Sequence, residues 1–188
     1  MNKEIKAFID EEYESIYKGL NVNWLIGIRN KKQEISRKGL ANSGIEQKML
    51  TDYAIDLVND INLKIKNLIE KSQDKFNFEM SKEDIENYIG KSIDNNIKYL
   101  ERFNNELLEY FESKKMLFVE SCIIEFSNAK ANNKAELEKI KKELILINKS
   151  KNTKEKKENR KINKANIIGI IGIVVTIIGI IITIISII

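Results

Sequence analysis

The run of residues 167–188 constrains this sequence more than any other feature. It contains fourteen Ile, two Val, three Gly, two Thr and one Ser, and it carries no charge. As a helix it would be about 33 Å long, enough to cross a hydrocarbon core of about 30 Å. No other stretch of the sequence reaches 18 uncharged residues. The sequence therefore predicts a single C-terminal transmembrane helix at 167–188.

The few small residues of this run fall on one face of the predicted helix. They follow one another at steps of three and four residues, a mean repeat of 3.5, which is the period of left-handed helix packing. We call this set the small-residue seam: Ala165, Gly169, Gly172, Thr176, Gly179, Thr183 and Ser186. In lipid, helices associate through close backbone approach and interhelical hydrogen bonds, which Gly, Thr and Ser permit. The seam predicts a homo-oligomer, with a pore lined by its hydroxyl groups as the alternative.

A basic segment precedes the predicted span. Its eight cationic residues are Lys149, Lys151, Lys154, Lys156, Lys157, Arg160, Lys161 and Lys164. Together with Glu155 and Glu158 they give residues 148–166 a charge of +6, whereas residues 1–147 carry −2. Lys and Arg beside a span favour the cytoplasmic side and attract anionic lipid headgroups. The expected location is the membrane, single-pass and tail-anchored with a cytoplasmic N-terminal domain, and nucleic acid is not an expected partner.

The remaining sequence has helical periodicity and no sustained strand alternation, so the predicted class is all-α, a cytoplasmic bundle of long helices. Apolar residues predict a first helix over about 5–20 and a second over about 23–38. Ser43 and Glu46 have capping-box spacing and predict the start of a third helix, and Ser81 and Asp84 predict the start of a fourth. That fourth helix is expected to reach Phe126, with a kink at Lys114–Lys115.

A polar stretch, residues 127–133, is expected to end the fourth helix, and Asn133 is expected to cap a fifth. Leu137, Ile140, Leu144 and Ile147 have heptad spacing. They either pack on the bundle or join the seam in an oligomer, and the sequence leaves both possibilities open. The predicted organisation is a helical bundle at 1–132, a heptad-like helix with the basic segment at 133–166, and the span at 167–188.

The sequence offers little for catalysis. With no His, it lacks Ser-His and Cys-His nucleophile pairs, histidine zinc sites and the Glu-x-x-His motif of diiron proteins. The single cysteine, Cys122, allows no disulfide within the chain and lies on an apolar face, where a buried thiol is expected. No enzyme activity, metal or cofactor is predicted.

Two further features have structural as well as functional interpretations. The carboxylates Asp10, Glu11, Glu12 and Glu14 could bind a cation or a basic partner, but a solvated helix face is favoured. Trp24, beside Leu25, Ile26 and Ile28, could belong to an exposed docking patch or an interfacial membrane contact, but a core position is favoured.

Two classes of function remain. The leading hypothesis is a non-enzymatic interaction or scaffold protein, which presents a helical domain to an unidentified protein partner and oligomerises through the seam. The alternative is a membrane-perturbing effector, a toxin or holin-like pore former controlled by its helical domain.

Overall fold

The computed structural model describes residues 1–117 and 119–150, and these residues are arranged as helices without a strand. The helices are α1 (Lys3–Arg37), α2 (Gly44–Phe76), α3 (Lys82–Ser113) and α4, which covers residues 119–150. Met1–Ile145 form one compact unit, and residues from Leu146 onward belong to a second. The predicted span at 167–188 lies outside the described residues. Within the described part, no helix carries a stretch long and apolar enough to cross a bilayer.

Side chains cap the first turns of α2 and α3 where the sequence predicts it. The Ser43 hydroxyl accepts a hydrogen bond from the Glu46 backbone N–H at 3.2 Å. The Ser81 hydroxyl accepts one from the Asp84 backbone N–H at 3.0 Å. Each cap satisfies a backbone donor that the helix leaves without an internal partner. Both predicted helix starts are confirmed.

The ends of α1, α2 and α3 share one geometry. In each, a residue with positive φ follows the helix: Gly39 (φ 71°), Asn77 (φ 45°) and Lys115 (φ 52°). The N–H of the next residue then bonds to a carbonyl five residues back, as from Met116 to Phe111 at 3.0 Å. This is the Schellman motif, which satisfies the last carbonyls and brings an apolar residue back onto the helix. Gly adopts positive φ without strain and Asn tolerates it, whereas Lys does so at a cost.

Three predicted helix boundaries are wrong. The first and second predicted helices form one, α1, because the buried stripe of Tyr17, Leu20 and Trp24 continues past Gly19. The kink expected at Lys114–Lys115 is a full break between α3 and α4, made by the Schellman turn. The stretch 127–133 is helical, and Asn133 lies inside α4 with its side chain buried. The sequence predicts a helix cap at Asn133, but its side-chain amide hydrogen-bonds to Asn62 and Asn96 in the core instead.

Short connections make successive helices antiparallel, so α1 runs parallel to α3 and α2 parallel to α4. The core contains the aromatic side chains of Trp24, Phe103, Phe111 and Phe126, each no more than 2% exposed. Leu137, Ile140 and Leu144 are buried in it too, which confirms packing on the bundle for these three heptad positions. The predicted boundary at 132/133 falls within α4. The three-part organisation of the whole sequence stays a prediction, because its last part lies outside the described residues.

Candidate functional site

Most predicted site residues lie outside the described part of the chain. This holds for the whole small-residue seam and for the basic segment from Lys151 onward. Lys149 is the exception; it lies exposed at the end of α4. The candidate sites that the structure does describe are a buried polar layer, an exposed apolar patch and a groove between α1 and α2.

The buried polar layer takes one side chain from each of the helices α1 to α4: Tyr17, Asn62, Asn96 and Asn133. Asn96 is at its centre, fully buried, and its Oδ1 accepts a hydrogen bond from the Tyr17 hydroxyl at 2.9 Å. Its Nδ2 donates to Asn62 Oδ1 at 2.9 Å and to Asn133 Oδ1 at 3.0 Å. Because each amide hydrogen-bonds to a side chain of another helix, the layer connects α1, α2, α3 and α4 and fixes their alignment along the bundle axis.

The layer reaches water at one edge. Asn62 Nδ2 donates to Glu136 Oε2 at 2.7 Å, and Glu136 is exposed. Asn133 Nδ2 donates to Asn59 Oδ1 at 3.2 Å, and Asn59 is half-buried. A buried amide without a partner costs about 1–3 kcal/mol, so these outer bonds remove a penalty that the core would otherwise carry.

A second set of hydrogen bonds lies nearer the N-terminus of α1. The Ser92 hydroxyl donates to Tyr13 Oη at 3.2 Å, and the Tyr88 hydroxyl donates to Asp10 Oδ1 at 2.6 Å. Burial raises the pKa of Tyr13 and of Tyr17, since the phenolate would be poorly solvated there. Burial alone would raise the pKa of Asp10, but hydrogen bonds from Lys6 and Tyr88 lower it overall. Asp10 is therefore a structural carboxylate, whereas Glu11, Glu12 and Glu14 are exposed.

The polar layer is not among the features predicted from the sequence, although the sequence contains a signal for it. Asn96 lies seven residues after Ile89 and four before Leu100, so it occupies the apolar stripe of α3. Asn133 has the same relation to Phe126 and Leu137 in α4. A polar residue within the apolar stripe of a helix is expected to be buried and to have hydrogen-bond partners. Asparagine at such a position is known to fix the alignment between helices.

Trp24 lies in the core, as favoured from the sequence. It is 2% exposed, and its ring stacks on Phe103 with centroids 4.0 Å apart. Its Nε1 donates to Glu106 Oε2 at 2.6 Å. The neighbouring residues Leu25 and Ile26 are 67% and 58% exposed, and with Val22 they form an apolar patch on the outer face of α1.

Cys122 is buried, as the sequence predicts, and its sulfur accepts a hydrogen bond from the Thr51 hydroxyl at 3.4 Å. Its burial among core residues keeps it from acting as an accessible nucleophile. Among the described residues, no three His, Cys, Asp or Glu side chains gather closely enough to hold a metal ion.

The α1/α2 groove lies on the outer edge of the bundle. Its floor is apolar, made by Phe8, Ile16 and Leu68. Its charged rim consists of Glu12 from α1 and three lysines from α2: Lys64, Lys71 and Lys75. Lys75 Nζ lies 3.8 Å from the centroid of the Phe8 ring, a cation–π contact at one end of the groove.

Comparison with known proteins identifies no relative. No protein-family model matches the sequence, and neither the curated proteins nor the solved structures include a similar chain. The class that the described residues define is a four-helix bundle with a buried polar layer.

Proposed function

We propose that this protein is a membrane-anchored, non-enzymatic interaction module. In this proposal, residues 167–188 cross the bilayer, the basic segment holds the preceding chain at the cytoplasmic face, and the bundle offers its surfaces to a protein partner. The seam joins copies of the chain within the membrane. The observation that carries the proposal is the uncharged run of 22 residues with all its small residues in one phase.

Features of the described residues support a binding role. The core is made of other, buried side chains, and the exposed apolar side chains are not part of it. Leu25 and Leu117 are 67% and 75% exposed, and such positions suit contact with another protein. The side chains of the polar layer hydrogen-bond to one another across helices, an arrangement that fixes structure.

Self-association through the seam is tested by substituting Gly172 and Gly179 with Ile in a membrane two-hybrid assay. Both changes prevent close backbone approach, so we expect the dimer signal to disappear. The matched control changes Ile170 and Ile177 to Leu, because these positions lie off the seam, and it should keep the signal. An undiminished signal from the glycine variant would refute oligomerisation through this face.

A membrane-perturbing effector is the second candidate, favoured by the hydroxyl groups of Thr176, Thr183 and Ser186 on the same face. An oligomer could turn these groups toward a water-filled path. Inducible expression with a membrane-potential dye separates the candidates. Rapid depolarisation that requires residues 167–188 would favour the effector, whereas unchanged potential at full expression would favour the interaction module.

A further inference from the structure

We infer that the α1/α2 groove binds the phosphate headgroups of anionic lipids in the bilayer that residues 167–188 enter. This inference rests on the proposed membrane anchor. It adds a second membrane contact, made by the folded bundle itself, to the one expected from the basic segment.

The charge of the groove suits a phosphate. Three lysines face one carboxylate, Glu12, so the rim carries a net charge of +2. All three lysines are exposed and can reach a ligand without unfolding. Lys64 and Lys75 are eleven residues apart on one helix, a distance of about 16 Å, so the rim presents a row of ammonium groups. The apolar floor of Phe8, Ile16 and Leu68 provides a surface for the glycerol and upper acyl carbons of a lipid.

The outer face of α2 changes sign along its length. Asp52, Asp56 and Asp60 follow one another at four-residue spacing, and Lys64 continues the same stripe, with Lys71 and Lys75 beyond it. Lys48 begins the stripe and pairs with Asp52 at 3.3 Å, so the first half carries a net charge of −2 and the half from Lys64 onward carries +3. An anionic surface would therefore repel the first half and attract the second. This polarity favours a fixed orientation of the bundle at a membrane.

The basic half lies at the end of the bundle from which the chain continues to the basic segment. Lys66 Nζ pairs with Glu143 Oε2 at 2.9 Å, which places residue 143 beside the groove end of α2. The compact unit ends two residues later, at Ile145. The 21 residues from 146 to 166 separate this unit from residue 167 and span at most about 70 Å when extended, so chain length does not prevent the groove from contacting the bilayer.

The test uses the full chain on vesicles of phosphatidylcholine alone or mixed with phosphatidylglycerol. An environment-sensitive nitrobenzoxadiazole dye is attached at Asn67→Cys, since Asn67 lines the groove. Wild-type chain treated identically gives the background from the buried Cys122. We expect a blue shift on the anionic vesicles only, reversed by salt, and absent for a dye at Asn128→Cys on α4.

The decisive variant is Lys64→Gln, Lys71→Gln, Lys75→Gln. Removing each lysine should lower the docked-to-undocked ratio about fivefold, so the triple variant should lose the blue shift. The matched control removes the same charge from Lys98, Lys114 and Lys134, which lie outside the groove, and should keep it. A blue shift on neutral vesicles, or one that persists in the groove variant, overturns the inference.

Flotation of the wild-type chain on neutral vesicles tests the anchor separately. A chain that does not float refutes the anchor and, with it, the inference. A chain that floats on neutral vesicles but gives no blue shift on anionic ones refutes the groove site and leaves the anchor standing.

Discussion

Replacing Asn96 with Ala tests the energetic role of the polar layer directly. The change removes three hydrogen bonds, to Tyr17, Asn62 and Asn133. Two of the three atoms that bonded to Asn96 keep another hydrogen bond. Asn62 Oδ1 still accepts from Asn133 Nδ2 at 3.3 Å, and the Tyr17 hydroxyl keeps a longer bond to the Ser92 carbonyl at 3.4 Å.

Asn133 Oδ1 loses its donor and stays buried. Each lost hydrogen bond costs about 1 kcal/mol, and the buried Asn133 oxygen without a donor adds a further penalty. The free energy of unfolding should therefore fall by about 3–5 kcal/mol. Because whole domains are stable by about 5–15 kcal/mol, this single change should bring the bundle close to unfolding.

The assay is urea unfolding of the full chain in detergent micelles, followed by far-ultraviolet circular dichroism. The matched control is Asn104→Ala, on the same helix two turns away. Asn104 Oδ1 is buried without a hydrogen-bond partner among the described residues, so its removal should cost less than about 1 kcal/mol.

The double variant of Asn96 and Asn133 completes the test. Once Asn96 is gone, Asn133 has less to lose, so the double variant should be about 1–2 kcal/mol more stable than the summed single losses predict. If Asn96→Ala costs no more than Asn104→Ala, or if the two asparagines prove additive, the polar layer does not hold the helices together.

Three further outcomes are expected. Lys115→Gly should raise the free energy of unfolding by about 1 kcal/mol in the same urea assay, because Gly adopts the observed positive φ without strain; an unchanged or lower stability would contradict this reading of the turn. Gly19→Ala should raise the free energy of unfolding by about 1 kcal/mol, since nothing lies near its new methyl. Gly27→Ala should lower it, because the new methyl would overlap the Tyr53 hydroxyl. The midpoints of thermal unfolding of the two variants should therefore shift in opposite directions. Burial raises the pKa of Tyr110 to about 12, so the stability contributed by its neutral form is intact below about pH 10 and is lost as the pH rises through the folded pKa. The chain has six tyrosines, so the signal of Tyr110 is the tyrosinate absorbance of the wild type minus that of Tyr110→Phe. This difference should rise together with unfolding measured by circular dichroism, and a rise that precedes unfolding would contradict the prediction.

The sequence predicts helix starts better than helix ends. Starts at Ser43 and Ser81 depend on a single hydroxyl beside a backbone donor, a local interaction that residue type reveals. The end at Lys115 depends on a positive φ. The sequence does not predict this conformation, because it is unfavourable for Lys and no local interaction stabilises it. Met116, 8% exposed, packs into the core beyond it, so tertiary packing imposes the turn.

The polar layer could be predicted only in part. Periodicity places Asn96 and Asn133 on core-facing stripes, but whether their amides hydrogen-bond depends on the axial position of α3 relative to α4. That axial position follows from loop lengths and from the turn at Lys115, which periodicity does not determine. The α1/α2 groove was missed for the same reason, since Glu12 and the lysines of α2 are more than 50 residues apart and become neighbours only in the hairpin.

Trp24 gives the bundle a built-in optical reporter. It is the only tryptophan of the chain, and its indole stacks on Phe103 while donating to Glu106, both on α3. The ring also stacks on Tyr53 of α2, with centroids 6.3 Å apart, so its emission reports the packing of α1 against both α2 and α3. A partner or a membrane that separates α1 from these helices would expose the indole to water and shift its emission to the red, whereas one that only docks on the outer face would leave the spectrum unchanged.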